Sequence, residues 1–215
     1  MPAGSNGARF RRSLKVLSAA GLAAGAVMLA GAASLRLRAA AWQESNAGRF
    51  EARRSAGPPR PGSEARPSAG ERSRPRLGRP MARLRIDRLG LDTVVAEGTD
   101  DQILSRGPGH LRGSGLPGER DNCIIAGHRD GPFGRLRTAR AGDILEIARH
   151  GDAPARYRVE SVEVVGKDDT RALAPSREPR LTLVTCYPFH FLGRAGRRFV
   201  VRAALLDDRP RQGLL

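Results

Sequence analysis

Short runs of aliphatic and β-branched residues, separated by turn residues, dominate the chain from about residue 80 onward. Their alternation of apolar and polar positions is typical of β-strands, whose successive side chains point to opposite faces. Such a series of short strands indicates a closed all-β barrel or a β-sandwich. The predicted strands are 83–86, 91–95, 122–127, 143–147, 156–165, 180–186 and 198–206, with short helical turns predicted at 100–105 and 133–138.

The N-terminal part has a different pattern. A basic flank that ends at Lys15 precedes residues 16–35, a run of twenty residues without a charge. A run of this length matches a bilayer core of about 30 Å. We predict a transmembrane signal-anchor helix at 16–35, with the basic tail 1–15 in the cytoplasm and the rest of the chain outside. The alternative is a cleaved signal peptide, processed near small residues such as Ala30-Gly-Ala32 or Ala39-Ala-Ala41.

Residues 36–80 are rich in Pro, Gly, Ser and Arg and carry few aliphatic side chains. Such a composition cannot offset its own ordering entropy, which predicts a flexible linker before a folded domain at 81–208. Residues 1–80 also hold 15 of the 38 basic residues and only 4 of the 22 acidic ones. The folded domain interleaves basic and acidic residues and has few aromatic residues, so the basic composition does not indicate a nucleic-acid partner.

The chain has two cysteines, Cys123 and Cys186, and neither lies in a Cys-x-x-Cys pair. This pattern indicates no metal site and no cofactor. Alternation along 122–127 places Cys123 on the strand face opposite to that of His128, so we predict that Cys123 is a small buried residue. A Cys123–Cys186 disulfide stays open if the domain is exported.

Cys186 ends a β-branched run, two residues before Pro188, which cannot continue a central strand. A cysteine attacks as a thiolate, so a catalytic one needs an imidazole or another cation nearby. The histidines available for that role are His110, His128, His150 and His190.

Three segments resemble the signature segments of sortases in their order and spacing. They are Ala126-Gly-His-Arg-Asp130, Leu181-Thr-Leu-Val-Thr-Cys-Tyr-Pro-Phe189 and Arg198-Phe-Val-Val-Arg-Ala203. The Cys-Tyr-Pro-Phe continuation resembles class D. The resemblance runs from about residue 80 to 206 and implies an eight-stranded sortase β-barrel.

The resemblance also implies a catalytic trio of Cys186 as nucleophile, His128 as acid and base, and Arg198 as the substrate-holding cation. Arg197 is the rival of Arg198, because one residue of register decides which side chain faces the site. Two departures from the class D pattern bear on loop shape and substrate preference: Gly196, where proline is common, and Gly131-Pro-Phe-Gly134.

The function that the resemblance implies is that of a membrane-anchored cysteine transpeptidase. It would cleave a Leu-Pro-x-Thr-like sorting signal of a secreted protein at the threonine carbonyl and form a thioester. It would then transfer the acyl group to an amine of a peptidoglycan precursor or to a pilin lysine, or slowly to water.

Other classes of protein fit the sequence less well. Papain-like peptidases place the cysteine before the histidine, and an L,D-transpeptidase has a Ser-His-Gly-Cys cluster that this chain lacks. The alternative from a different class is a non-catalytic, membrane-tethered β-barrel that binds an envelope partner. Thiol reactivity of Cys186 against that of Cys123 separates the two readings.

Overall fold

The computed structural model describes residues 5–55, 76–149, 152–190 and 193–206, with the side chains of the first helix described from residue 20 to residue 50. The chain forms two compact units, Met1–Ala41 and Trp42–Leu215. Within the described residues, the helical segment Ala20–Phe50 is long and apolar enough to cross a membrane, and it contains an 18-residue window with a mean hydropathy of 1.5.

Helix α1 spans Ser5–Ser55, and it therefore continues through the first part of the predicted linker. The prediction of a flexible chain at 36–55 is wrong in the structure. The prolines that justified it begin only at Pro58, whereas Leu37 to Gln43 are mostly Ala, Leu, Arg and Gln, which favour helices. Residues 56–75 of the predicted linker lie outside the described residues.

Among the described residues, eight strands form a closed barrel, which confirms the predicted sortase-like barrel and excludes the sandwich. A short helix, α2 (Asp101–Leu104), and the 3-10 turns Asp87–Leu89, Pro132–Thr138 and Arg171–Leu173 lie on the connections. The strands are β1 (Pro80–Ile86), β2 (Leu91–Glu97), β3 (Gly109–His110), β4 (Asn122–Gly127), β5 (Ile144–Arg149), β6 (Ala155–Gly166), β7 (Arg180–Tyr187) and β8 (Arg197–Leu205). Their order around the barrel is β1-β2-β3-β4-β7-β8-β6-β5.

Alternation along the strands determines which side chains fill the barrel. On β7, Leu181 and Leu183 are fully buried in the core cluster, so by alternation Thr182 and Val184 point to the other face of the sheet. On β4, Cys123 and Ile125 join the same cluster. Cys186 therefore belongs to the outward-pointing series of β7.

Strand β3 has only two residues, so it leaves part of the edge of β2 without a strand partner. The side-chain amide of Gln43, from α1, occupies that place. Val94 N donates to Gln43 Oε1 at 2.7 Å, and Gln43 Nε2 donates to the carbonyl oxygen of Val94 at 3.0 Å. The same nitrogen donates to the carbonyl oxygen of Arg106 at 3.0 Å. Gln43 thus hydrogen-bonds to both the N–H and the carbonyl group of Val94, which an adjacent strand would otherwise bind.

One ion pair links the turn after β1 to the start of β5. Arg88 binds the carboxylate of Asp143 through Nε and through Nη2, the latter at 2.6 Å. The Asp143 side chain is only 3% exposed. The hydrogen bond from Arg88 holds the pKa of that carboxyl below its usual value, despite the opposing effect of burial.

Candidate active site

Cys186 lies one residue before the end of β7, beside the start of the antiparallel strand β8. The register pairs Cys186 with Arg198. Directly opposed residues of an antiparallel pair project to the same face, with Cβ atoms about 5 Å apart. The thiol and the guanidinium therefore share the outer face of the barrel.

His128 reaches the same face from the other side of β7. Strand β4 runs parallel to β7, and the last registered pair is Gly127 with Thr185. The hydroxyl of Thr185 donates to the carbonyl oxygen of Gly127 at 2.7 Å and closes the end of that ladder. His128 and Cys186 are the next residues along each segment, so they follow neighbouring positions of the sheet, with the His128 side chain exposed and the Cys186 side chain half-buried.

The chain after β4 needs a glycine at position 127. A Cβ atom there would lie 2.7 Å from Cδ2 of Phe133, a side chain that is fully buried in the core. The glycine allows the 3-10 turn Pro132–Thr138 to pack directly under the end of β4. The backbone that carries His128 is therefore fixed by buried packing.

Arg197 and Arg198 point to different faces. Arg197 is paired with Tyr187, and its Cζ lies 5.8 Å from the centroid of that ring. The Tyr187 ring stacks in turn with Phe199, with centroids 6.4 Å apart. Arg198 is the arginine on the face of Cys186. Its Nη1 donates to the carbonyl oxygens of Ala195 and Arg197, each at 3.1 Å, and an arginine has further N–H donors for a substrate.

Cys123 is remote from this face. Its side chain is fully buried in the core cluster, opposite Leu181, and burial raises the pKa of its thiol. Both cysteines are free in the structure, so the disulfide that the sequence left open is not formed. Of the two cysteines, Cys186 is the one that the strand register pairs with Arg198 and places next to the Gly127–Thr185 pair that precedes His128.

Of the other histidines, His110 has hydrogen-bond partners of its own away from Cys186. His110 is buried, with Nδ1 2.8 Å from Glu97 Oε2 and Nε2 2.9 Å from the carbonyl oxygen of Gly115. Both ring nitrogens therefore hold structural partners inside the barrel. His190 is exposed in the turn after β7, and His150 lies outside the described residues.

Sequence reasoning did not identify Arg129, which joins the two chain segments that flank the site. Its guanidinium donates to the carbonyl oxygens of Pro188 and Gly193. Arg129 lies within the signature segment 126–130, but no local pattern in the sequence indicates its two partners. Within the described ranges, no group of three or more His, Cys, Asp or Glu side chains is placed to hold a metal ion.

The geometry agrees with the comparison to protein families. Residues 84–206 match the model described as the sortase domain, and this segment is more than half of the chain. The chain therefore belongs to the sortase family. The matched segment contains Cys186, His128 and Arg198.

Among curated proteins, sortase D of Bacillus subtilis (strain 168) is 32% identical over 130 residues. The match covers 60% of this chain and 65% of the relative, so this chain spans just under two thirds of that protein's length. The predicted resemblance to class D is thereby confirmed.

Solved structures of three sortase classes are similar to this chain. A sortase D5 transpeptidase of Clostridium perfringens has 30% identity and a TM-score of 0.55, over 62% of this chain and 82% of that chain. A lid mutant of sortase A from Corynebacterium diphtheriae has 30% identity and a TM-score of 0.56, over 62% and 74%. Sortase C1 from Streptococcus agalactiae has 29% identity and a TM-score of 0.54, over 59% and 67%.

Proposed function

We propose that this chain is a membrane-anchored cysteine transpeptidase with Cys186 as nucleophile, His128 as acid and base, and Arg198 as the substrate-holding cation. The observation that supports the proposal is the strand register, which pairs Cys186 with Arg198 and pairs Gly127 with Thr185, the residues that directly precede His128 and Cys186. Membership of the sortase family supports the same assignment.

The first half of the reaction forms a thioester. The thiolate of Cys186 attacks the threonine carbonyl carbon of a Leu-Pro-x-Thr-like sorting signal, and a tetrahedral oxyanion forms. The C–N bond to the next residue then breaks. Protonated His128 gives its proton to the leaving amine, which departs as the C-terminal fragment.

The second half transfers the acyl group. An acceptor amine attacks the thioester and gives a proton to His128, and the thiolate of Cys186 leaves. An amine on a peptidoglycan precursor or a lysine of a pilin-like subunit would serve as the acceptor. Water in place of the amine gives slow hydrolysis, so this chemistry includes a thiol peptidase activity.

Arg198 acts on the oxyanion. Its guanidinium shares a face with Cys186 and is anchored by the carbonyl oxygens of Ala195 and Arg197. An anchored donor stabilises developing charge without reorganising during the reaction. Its planar fork can also hold a carbonyl of the substrate beside the oxyanion.

A transfer assay tests the proposal. The full chain, solubilised in detergent, is incubated with Leu-Pro-x-Thr peptides and an added amine, and the products are identified by mass spectrometry. We expect a peptide cut after threonine and joined to the amine, with hydrolysis in its absence. An intact protein that leaves every peptide uncut would support the non-catalytic barrel instead.

The proposed location is the cytoplasmic membrane, with a single span, the basic N-terminal tail inside and the barrel outside. The apolar segment of α1 and the basic flank that ends at Lys15 support this orientation. An alkaline phosphatase fused after Leu215 should be active in cells. A well-expressed but inactive fusion would overturn the orientation, and a mature N-terminus near Ala33 or Trp42 would support signal cleavage.

A further inference from the structure

Arg129 bridges two points of the connection between β7 and β8. Its Nη1 donates a hydrogen bond to the carbonyl oxygen of Pro188 at 2.9 Å, and its Nη2 donates to the carbonyl oxygen of Gly193 at 2.8 Å. Both lengths are typical of bonds from a charged donor, which are stronger than neutral ones. The Arg129 side chain, next to His128 in the sequence, therefore hydrogen-bonds to the backbone at two positions after Cys186.

The backbone of Arg129 is itself firmly placed. Gly134 packs so closely on it that a Cβ atom at Gly134 would lie 2.6 Å from the carbonyl oxygen of Arg129. On the other side, the carbonyl oxygen of His128 accepts a hydrogen bond from Gly131 N at 3.2 Å. Because the turn fixes the backbone of Arg129, the guanidinium can fix the positions of its two acceptors, the carbonyl oxygens of Pro188 and Gly193.

The same connection also anchors Arg198. Arg129 binds the carbonyl oxygen of Gly193, and Arg198 binds those of Ala195 and Arg197. Within residues 193–197, Gly193 therefore accepts a hydrogen bond from Arg129, the neighbour of His128. Ala195 and Arg197 accept hydrogen bonds from Arg198 of β8. A displacement of Gly193 would move the carbonyl groups that orient the guanidinium of Arg198.

We propose that Arg129 is a positioning residue, which sets the β7–β8 connection against His128 and thereby orients Arg198 toward the thiol of Cys186. The inference rests on the proposed transpeptidase function. Bridging two separate carbonyl oxygens requires a planar group with several fixed donors, which arginine supplies. The ammonium group of lysine is a compact charge and cannot reproduce that bridge.

A role through charge alone is the competing explanation, because a cation near the site could attract the substrate directly. Lysine preserves the charge and loses the bridge, so the Arg129→Lys variant separates the two explanations. Arg137→Ala is the matched control. Arg137 is an exposed arginine on the following 3-10 turn, and its Nη1 lies 3.4 Å from the carbonyl oxygen of Gly134.

Two rates are measured on the full chain in detergent: single-turnover acylation by Leu-Pro-x-Thr peptides, and alkylation of Cys186 by iodoacetamide. For Arg129→Ala and Arg129→Lys we expect acylation to fall by about 10- to 100-fold, the scale of a misplaced reacting geometry. Alkylation should not change, because a small reagent needs only the thiol. Guanidinium ion at millimolar concentration should partly restore acylation of Arg129→Ala, whereas Arg137→Ala should behave like the parent.

Three results would overturn the inference. Normal acylation by Arg129→Ala would show that the bridge does not matter, and full rescue by Arg129→Lys would show that charge alone matters. A parallel loss of alkylation and of the melting transition in both variants would reduce Arg129 to a structural role. A parent protein whose Cys186 is alkylated but forms no thioester would instead contradict the proposed function, and with it this role for Arg129.

Discussion

Cys123 and Cys186 lie on neighbouring parallel strands and have opposite surroundings. Cys123 stands near the start of β4 inside the barrel, opposite Leu181, and its side chain is fully buried. Cys186 lies near the end of β7 on the outer face, where it pairs with Arg198. The residue before it, Thr185, pairs with Gly127, the residue before His128. The difference arises from strand alternation and from where each strand ends.

One residue type thus has two different environments in a single sheet. Burial raises the pKa of the Cys123 thiol and outweighs the opposing charge of Arg149, which keeps the thiol protonated and inert as a nucleophile. A strand end gives Cys186 access to solvent while the sheet fixes its backbone. Substitutions at the ends of β4 and β7 and at the start of β8 should therefore affect activity. Substitutions in the core of the barrel should affect stability.

The largest expected effect follows from removing the outer thiol. Cys186→Ala should abolish thioester formation, because no thiol remains at position 186 to be acylated, and should lower turnover on the order of 10⁶-fold, as the loss of a catalytic nucleophile does elsewhere. The variant should melt like the parent, because Cys186 is not part of the core cluster. Single-turnover assays with Leu-Pro-x-Thr peptides would check this, and residual acylation near the parent rate would refute the role of Cys186.

Arg198→Ala should have the next largest effect. We expect acylation to fall by about 100- to 1000-fold, the scale for loss of an oxyanion donor. Arg198→Lys should rescue little, because an ammonium lacks the planar fork.

Arg197→Ala is the matched control for Arg198, since Arg197 lies over the Tyr187 ring on the other face. Its acylation rate should stay close to that of the parent. If Arg197→Ala were inactive and Arg198→Ala active, the assignment of the two faces would be wrong.

Cys123→Ser should affect stability more than activity. The variant places a hydroxyl in the core, and an unpaired buried polar group costs about 1–3 kcal/mol. Acylation should retain at least about a tenth of the parent rate, because the strand ends remain in place. Thermal melting and acylation are measured together, with Cys123→Ala as the control that adds no polar atom. Loss of acylation with an intact fold would contradict the separation of the two cysteines.

The smallest effect concerns Arg88 and Asp143, which lie on connections outside the proposed site. The folded-state pKa of Asp143 is lowered, so the pair stabilises the fold above the unfolded pKa of about 3.9 and loses that contribution as the pH falls through the folded value. Asp143→Asn should therefore melt lower than the parent at pH 7, with a smaller difference near pH 3. An equal difference at both pH values, or a change in acylation at pH 7, would argue against this reading.

Much of the barrel could be predicted because alternation is a local property of the sequence. Strand β4 was predicted with its observed bounds, Asn122–Gly127, and most others to within a few residues. Strand β3 was missed, because its two residues, Gly109 and His110, cannot show a period. Helix α1 was predicted too short, because the composition of the whole linker masked the helix formers before Pro58.

The contacts that complete the site and the fold depend on residues far apart in the sequence. No local pattern shows that Gln43 binds Val94, or that Arg129 binds Pro188 and Gly193. The choice between Arg197 and Arg198 was a matter of one residue of register, which the pairing of β7 with β8 resolves geometrically. Their roles in catalysis stay predictions.

Mapping the thioester tests the central claim most directly, because trypsin separates the two cysteines into fragments 121–129 and 181–194. The full chain is incubated with Leu-Pro-x-Thr peptides, quenched in acid, digested and analysed by mass spectrometry. We predict an acyl adduct on the fragment with Cys186, removable by hydroxylamine, and none on the fragment with Cys123. An adduct on Cys123, or no adduct while the peptide is cleaved, would contradict the account.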